Sequence, residues 1–171
     1  MARVAGLGHV GIYVRDLEKM GAFYRDFMGM QLTKQRPGRL MFFSAHPEAV
    51  DHEIALIAGR PEGNAPQLVD QISLRVETLA DLRDFHRRIQ EAGYKLDRVV
   101  NHGSAIGCYF FDPEGNRTEV FWVTGRPCWV PTSEPVDLAD SDEAILAHVD
   151  RIIEREGAVP VGGLKEAAAS A

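Results

Sequence analysis

The chain has few cysteines, no long hydrophobic run and no cluster of basic residues. Its two cysteines, Cys108 and Cys128, have neither the spacing of a metal site nor that of a redox motif, and we expect both to be structural. The longest apolar run, residues 105–111, is interrupted by a glycine and is far shorter than the ~20 residues of a membrane-spanning helix. A net charge of −6 without a Lys/Arg cluster argues against nucleic acids and anionic membranes as partners.

Length and composition are those of a globular protein. The 171 residues, of which 45% are hydrophobic and 26% charged, can bury a core in one domain or in two small modules. His9 and Arg15 interrupt the apolar N-terminal residues, and no small-residue cleavage site follows them, so a secretory signal is not indicated. We therefore expect a cytoplasmic protein.

Residues 107–122, GCYFFDPEGNRTEVFW, predict a hairpin with one carboxylate inside an apolar strand. Aromatic and β-branched residues fill both arms, and residues 112–115 have the composition of a turn. Alternation along the returning arm places Glu119 on one face of the strand. Because a buried carboxylate without a partner is unfavourable, three alternatives are open for Glu119: a metal, a basic partner, or a strand face exposed to water.

The first part of the chain alternates between strand and helix patterns. A strand is predicted over residues 7–14, and a helix with apolar residues at helical spacing runs from Leu17 to Phe27. Asp16 is the predicted N-cap of this helix, and Gly29 ends it. Three further strands are predicted at 30–35, 39–44 and 52–58, and residues 59–66 have the composition of a surface linker.

The same order of elements returns from Asp70, which indicates an internal repeat. A shift of 62 residues places His9 on Gln71 and matches the hydrophobic pattern rather than the residue identities. Strands predicted at 95–100, 107–111 and 117–123 complete the second copy. We predict an α+β fold of two βαβββ modules, residues 6–58 and 69–125, whose sheets curl around a shared cleft.

Residues 126–171 predict a C-terminal helical extension. Pro127, Pro131 and Pro135 rule out a continued strand. Asp140 is predicted to start an amphipathic helix, because Glu143 completes a capping-box pattern and apolar residues follow at helical spacing. We expect the last residues to be frayed.

The repeat predicts a metal site. His9 and Gln71 occupy the same position of the first strand in each module, and Glu119 lies on the last strand of the second module. Each side chain alone is compatible with a hydrogen-bonded core histidine, a capped amide or an exposed glutamate. Three such residues on apolar strands, brought to one cleft by pseudo-symmetry, favour a metal centre.

Three segments resemble the vicinal oxygen chelate superfamily, which includes glyoxalase I, bleomycin-resistance proteins and type I extradiol dioxygenases. They are GHVGIYVRDLEKMGAFYRDFMGM, QISLRVETLADLRDFHRRIQEAG and YFFDPEGNRTEVFW, and the resemblance covers about residues 6–125. Within the superfamily, HGSAIGCYFFDPEGNRTEVF together with DHEIAL is most similar to the extradiol dioxygenases of the catechol and biphenyl-diol type.

This resemblance implies an Fe(II)-dependent enzyme that cleaves the ring of a catecholic aromatic diol with O2, as a homodimer or higher homo-oligomer. His9 and Glu119 match metal ligands, and Gln71 stands where a second histidine is usual. His52 matches a proton-shuttling histidine. Tyr109 and, in a looser register, His102 match residues that donate hydrogen bonds to a developing oxyanion.

Two alternatives remain open. A glyoxalase-like lyase or isomerase would use Mn, Ni or Zn at the same site, since some glyoxalases have a glutamine ligand. In that case Glu53 would compete with His52, because only one of two neighbouring residues on a strand can face the cleft. A metal-free small-molecule binding protein of the bleomycin-resistance kind would keep His9 and Glu119 as hydrogen-bonded residues. The sequence indicates no role for the C-terminal helix.

Overall fold

The computed structural model describes residues 8–61, 69–126, 128 and 132–156, which divide into two compact units. Residues 1–68 and Pro113–Gly115 belong to the first unit, and residues 69–112 and 116–171 belong to the second. The predicted α+β class is confirmed, because each unit carries a mixed sheet with a helix and a C-terminal helix follows. The linker beyond residue 61, two of the three tail prolines and the predicted frayed tail lie outside the described residues.

The first unit folds as βαβββ, in the order that the hydrophobic pattern predicts. Its elements are β1 (Val10–Val14), α1 (Leu17–Ala22), β2 (Gln31–Arg36), β3 (Leu40–Ser44) and β4 (Ile54–Ala58). The strands are ordered β1-β4-β3-β2, with β1 parallel to β4 and the other pairs antiparallel. The first and last strands of the unit are therefore neighbours in the sheet.

Helix α1 begins as predicted but ends differently. The Asp16 carboxylate accepts a hydrogen bond from the Lys19 backbone N (2.9 Å) and caps the helix. The chain stays helical to residue 27, as the spacing predicts, but Phe23–Phe27 form a π-helical turn in which Met28 N donates to Phe23 O (2.9 Å). This wider turn buries the Phe23 side chain.

The second unit repeats this topology and extends it. Its elements are β5 (Ile72–Val76), α2 (Leu79–Glu91), β6 (Leu96–Asn101), β7 (Ala105–Phe111), β8 (Arg117–Val123), β9 (Glu134–Pro135) and α3 (Asp142–Glu156). The strands are ordered β5-β8-β7-β6-β9, with β5 parallel to β8. Because β5 pairs with β8 as β1 pairs with β4, the predicted internal repeat is present in the backbone.

The second sheet has one apolar face and one polar face. Helix α2 packs on β5, β7 and β8 and buries Leu79, Leu82 and Ile89. Residues opposite one another on neighbouring strands point to the same face. On β5, β8, β7 and β6, four such residues form a transverse line that we call the polar row, namely Ser73, Glu119, Tyr109 and Arg98.

The C-terminal extension belongs to the second unit and departs from prediction at two points. Helix α3 begins at Asp142 instead of Asp140, because the Ser141 hydroxyl accepts from the Ala144 backbone N (3.2 Å) at its first turn. Pro135 does not exclude a strand, since it lies in the two-residue strand β9 at the sheet edge, where a missing N–H is tolerated.

Across the described ranges, no helix combines the length and hydrophobicity that crossing a bilayer requires.

Candidate active site

The polar row is built around the buried Glu119 carboxylate, which is only 6% exposed. Its Oε2 accepts hydrogen bonds from Ser73 Oγ (2.5 Å) and from Gln71 Nε2 (3.0 Å). Within the part of the chain that the structure describes, Glu119 forms no ion pair with Lys, Arg or His. The exposed-strand alternative is therefore wrong for Glu119, and neutral donors hold its negative charge.

A glycine makes room for this carboxylate. Gly107 lies on the same face of β7 as Tyr109, two residues earlier. A Cβ at Gly107 would collide with Glu119 Oε1 and would lie 2.9 Å from Tyr109 Cε2. Any larger residue at position 107 would displace the carboxylate or the ring.

Tyr109 and His102 form a hydrogen-bonded pair on the same sheet. The distance between the Tyr109 hydroxyl and His102 Nε2 is 3.1 Å, and His102 Nδ1 lies 2.6 Å from the backbone carbonyl oxygen of Thr132. Because a carbonyl oxygen only accepts, Nδ1 must carry the hydrogen, and neutral His102 presents an acceptor at Nε2. The C-terminal extension thus sets the tautomer of His102.

The Tyr109 phenol holds its proton strongly. Burial, followed by the hydrogen bond and the charge of the Glu119 carboxylate, raises the pKa of Tyr109 to about 12, whereas the Gln71 amide and the Arg98 guanidinium act in the opposite direction. At neutral pH, Tyr109 is therefore a neutral hydrogen-bond donor beside a carboxylate.

Two guanidinium groups lie over the Tyr109 ring. The Cζ atoms of Arg98 and Arg117 are 4.8 Å and 5.3 Å from the ring centroid. Arg117 is neutralised by two carboxylates, since it forms ion pairs with Asp97 and with Asp70 (3.5 Å for the latter).

His9 and His52 come together in the first unit. Their ring centroids are 4.4 Å apart, and the Phe42 ring lies edge-on to His52 at 4.7 Å. His9 was predicted to lie on the first strand, but it precedes β1 by one residue. Gln71 precedes β5 in the same way. The predicted equivalence of His9 and Gln71 in the repeat is kept.

The neighbouring side chains of His52 and Glu53 have different hydrogen-bond partners. His52 Nδ1 lies 2.8 Å from Asp51 Oδ2, so the carboxylate fixes the hydrogen at Nδ1. The hydrogen bond from Lys34, followed by that from His52, holds the pKa of Asp51 below its ordinary value. Glu53 instead accepts from Ala45 N (2.6 Å) and Ser44 Oγ (3.3 Å), which ties its carboxylate to the end of β3.

The structure thus brings the six predicted site residues together in three pairs. Gln71 contacts Glu119, and His102 contacts Tyr109, all in the second unit, while His9 contacts His52 in the first. Among the described residues, no three His, Cys, Asp or Glu side chains cluster as a metal site.

Sequence reasoning missed four residues of this site: Ser73, Arg98, Gly107 and Thr132. Strand alternation could have found two of them, since Ser73 lies two residues after Gln71 and Gly107 two residues before Tyr109. Arg98 depends on a β-bulge between Leu96 and Arg98 that shifts the register of β6 against β7. Thr132 acts through its backbone, which leaves no signal in the sequence.

A family model confirms the resemblance that the sequence motifs carry. The model described as the glyoxalase/bleomycin resistance protein/dioxygenase superfamily matches residues 6–120. The chain belongs to this superfamily.

Two dioxygenases are among its relatives. Biphenyl-2,3-diol 1,2-dioxygenase 3 of Rhodococcus globerulus is 27% identical over 67% of this chain and 61% of its own length. The manganese-dependent 2,3-dihydroxybiphenyl 1,2-dioxygenase of Geobacillus genomosp. 3 is 24% identical over 74% of this chain and 39% of its own. The chain therefore spans less than two thirds of either dioxygenase.

Solved structures agree on the fold. A lactoylglutathione lyase from Agrobacterium tumefaciens has a TM-score of 0.56 at 20% identity, over 71% of this chain and 96% of the lyase. The fosfomycin resistance protein FosX from Mesorhizobium loti has a TM-score of 0.54 at 22% identity, over 72% of this chain and 96% of the FosX chain. Because members with different reactions share this fold, the likeness extends to the fold alone.

Proposed function

We propose that the protein is a metal-dependent extradiol dioxygenase that opens the ring of a catecholic aromatic with O2. The observation that carries this proposal is the His102–Tyr109 hydrogen bond (3.1 Å), in which Tyr109 is the cross-strand neighbour of the buried Glu119. A neutral phenol and an imidazole acceptor beside a buried carboxylate supply the proton-transfer groups that this reaction needs.

The donor set around Glu119 fits a divalent cation. A carboxylate that is 6% exposed and is held only by neutral donors is stabilised when a cation binds beside it. Glu119 would hold the metal with the amide oxygen of Gln71, and the superfamily resemblance adds His9 of the first unit. Fe(II) is the expected ion, and the manganese-dependent relative makes Mn(II) the first alternative.

When bound, the metal would supply adjacent positions for the two substrate oxygens and for O2. The side chains of the protein would hold and move protons. Tyr109, with its pKa raised to about 12, keeps its proton at neutral pH and donates a hydrogen bond to an oxyanion on the substrate. Without substrate, His102 Nε2 accepts the hydrogen bond of the Tyr109 hydroxyl, while the Thr132 carbonyl keeps the hydrogen on Nδ1; the hydroxyl would turn from His102 to the substrate oxygen when the diol binds. His52, with Asp51 on its Nδ1, presents Nε2 as a base.

The first test is the metal content of protein purified without oxygen, followed by addition of simple catechols. We expect about one iron per chain and a yellow ring-opened product. Glu119→Gln should lose the metal and the activity, because the amide is neutral, while its metal-free form should be as stable as the wild type or more stable. Glu91→Gln, at an exposed position on α2, is the matched control. His9→Ala tests the third ligand.

Tyr109→Phe separates proton transfer from metal binding. This variant should keep the metal and lose turnover by roughly 10²- to 10⁴-fold, because it removes only the hydroxyl. Full turnover in Tyr109→Phe would contradict the proposed role of Tyr109. Metal other than iron or manganese, with no coloured product from any catechol, would contradict the dioxygenase itself.

A glyoxalase-like lyase or isomerase is the second candidate, and Gln71 favours it. The Gln71 side chain, whose Nε2 donates to Glu119, offers a metal only its amide oxygen, so the site is poorer in nitrogen ligands than a site with a second histidine. Bound Ni, Zn or Mn without ring cleavage would support this alternative.

A further inference from the structure

The polar row ends in the guanidinium of Arg98, which has no acidic partner among the residues that the structure describes. Arg98 is the Cα partner of Tyr109, and its side chain is exposed. In the described ranges it forms no ion pair with Asp or Glu, and its guanidinium lies over the Tyr109 ring at 4.8 Å. Arg117, over the same ring, is neutralised by two aspartates. Of the two guanidinium groups, only that of Arg98 is left to bind an anion.

The first unit has a basic residue at the position equivalent to Arg98, and that residue is paired within the fold. Lys34 is the Cα partner of Phe42, and Phe42 is the partner of Ala55, so Lys34 corresponds to Arg98 in the repeat. Lys34 forms an ion pair with Asp51 of its own unit (2.5 Å). Among the described residues, therefore, Lys34 is balanced by an aspartate, whereas its equivalent Arg98 is not.

The position of Arg98 in the polar row sets the size of a ligand whose anionic group could reach it. Arg98 and Glu119 are separated by two strand spacings, about 10 Å between their backbones. Tyr109 lies between them on the same face. A single benzene ring that places its vicinal oxygens beside Glu119 and lies along Tyr109 would direct its far edge towards Arg98.

The chemistry of Arg98 selects a carboxylate. A guanidinium is planar and offers paired N–H donors that match the two oxygens of a carboxylate, and stacking on an aromatic ring keeps that plane in place. We propose that Arg98 binds a carboxylate of the substrate, so that the substrate class is an aromatic diol that carries a carboxylate opposite its hydroxyl groups. This inference rests on the proposed function.

The test compares two diols that differ at one substituent, 3,4-dihydroxybenzoate and 4-methylcatechol. Binding is measured by calorimetry without oxygen on the metal-loaded protein. We expect the wild type to bind the carboxylated diol at least tenfold more tightly. Arg98→Gln should weaken that binding by roughly 10- to 100-fold and leave 4-methylcatechol unchanged, since only the charge-assisted hydrogen bonds are lost. Arg98→Lys should keep part of the preference.

Arg87→Gln is the matched control, because Arg87 is an exposed arginine on α2, which packs on the apolar face of the sheet. It should bind both diols as the wild type does. Three results would each overturn the role of Arg98. The wild type could bind both diols equally, Arg98→Gln could lose the same affinity for both, or Arg87→Gln could lose as much affinity as Arg98→Gln.

The metal content of the same samples distinguishes the two proposals. Bound metal with diols that bind equally would overturn only the assignment to Arg98. Absence of metal together with absence of diol binding would overturn the proposed function and, with it, the substrate class.

Discussion

The two units share one backbone topology but carry different side chains at equivalent positions. The row of the first unit that corresponds to the polar row consists of Gly11, Ala55, Phe42 and Lys34. Ala55 replaces the carboxylate of Glu119, and Phe42 lacks the hydroxyl of Tyr109. The same strand pairing therefore supports either a row with one polar side chain, Lys34, or the polar row, and the side chains make the difference.

The units also differ in what orients their site histidines, His52 in the first unit and His102 in the second. In the first unit, His52 is fixed by the side chain of its neighbour Asp51. In the second unit, His102 is fixed by the backbone of Thr132, which comes from a segment that the first unit does not have. The second unit thus depends on the C-terminal extension for the orientation of His102.

The largest effect is expected from Gly107→Ala, which fills the space that the Glu119 carboxylate needs. The first unit has Leu40 at the equivalent position, opposite Ile57 as Gly107 is opposite Phe121. We expect a loss of about 1–3 kcal/mol in the free energy of unfolding from overpacking, together with loss of metal binding. Urea unfolding and metal analysis measure the two effects.

Gly11→Ala is the control in the first unit, since a Cβ at Gly11 would meet only Ile57 Cδ1 at an ordinary 3.4 Å. It should change stability much less than Gly107→Ala does. Equal effects of the two variants would mean that Gly107 does not serve the carboxylate.

An intermediate effect is expected when the extension is loosened. Glu134 of β9 lies two residues after Thr132. It forms ion pairs with His148 (2.9 Å) and Arg155, both on α3. Glu134→Ala should keep the metal and lower turnover by roughly tenfold, because His102 is no longer oriented. ¹⁵N NMR of the imidazole should detect hydrogen at Nδ1 in the wild type and a tautomer mixture in the variant.

Asp150→Ala is the control, because it removes another ion pair of α3, with Arg126, without touching β9. Its turnover and its imidazole spectrum should match those of the wild type. An unchanged His102 spectrum in Glu134→Ala would refute the dependence of His102 on the extension.

The smallest effect concerns Cys108, on the apolar face beneath the site. Burial, with the Glu119 charge as a lesser cause, raises the pKa of its thiol from the ordinary 9.0 to about 12. In the unfolded chain the thiol ionises first, so its contribution to stability is complete below pH 9 and is lost as the pH rises towards 12. Wild-type protein should therefore lose more stability between pH 7.5 and pH 10.5 than Cys108→Ala does.

Unfolding in urea with a reducing agent at both pH values measures this difference. Cys128→Ala removes a thiol but leaves Cys108 in place, and it should keep the wild-type dependence on pH. Parallel pH profiles for all three proteins would contradict the buried, neutral thiol.

The order of the elements could be predicted because each is a local pattern. Apolar residues alternate along β1 and recur at helical spacing along α2, and Thr78 and Asp81 form a capping box at the start of α2. The π-helical turn after α1 could not be predicted, because a change in hydrogen-bond register leaves the spacing of the apolar residues nearly unchanged.

The site could be predicted in part. Glu119 was recognisable as a carboxylate in an apolar strand, and the repeat linked His9 with Gln71. The partners of Glu119 depend on strand pairing between residues 46 and 48 positions apart in the chain, which no local pattern contains.

By itself, the sequence determined the α+β class, the duplication, the superfamily and the type of residue available for chemistry, because hydrophobic periodicity and turn residues act over short stretches of chain. Only the tertiary structure decided which residues meet. The parallel pairing of β5 with β8 buries Glu119 among neutral donors, a bulge in β6 sets Arg98 beside Tyr109, and the extension brings the Thr132 carbonyl to His102. These contacts depend on register and chain reversal over long separations, and sequence periodicity does not encode them.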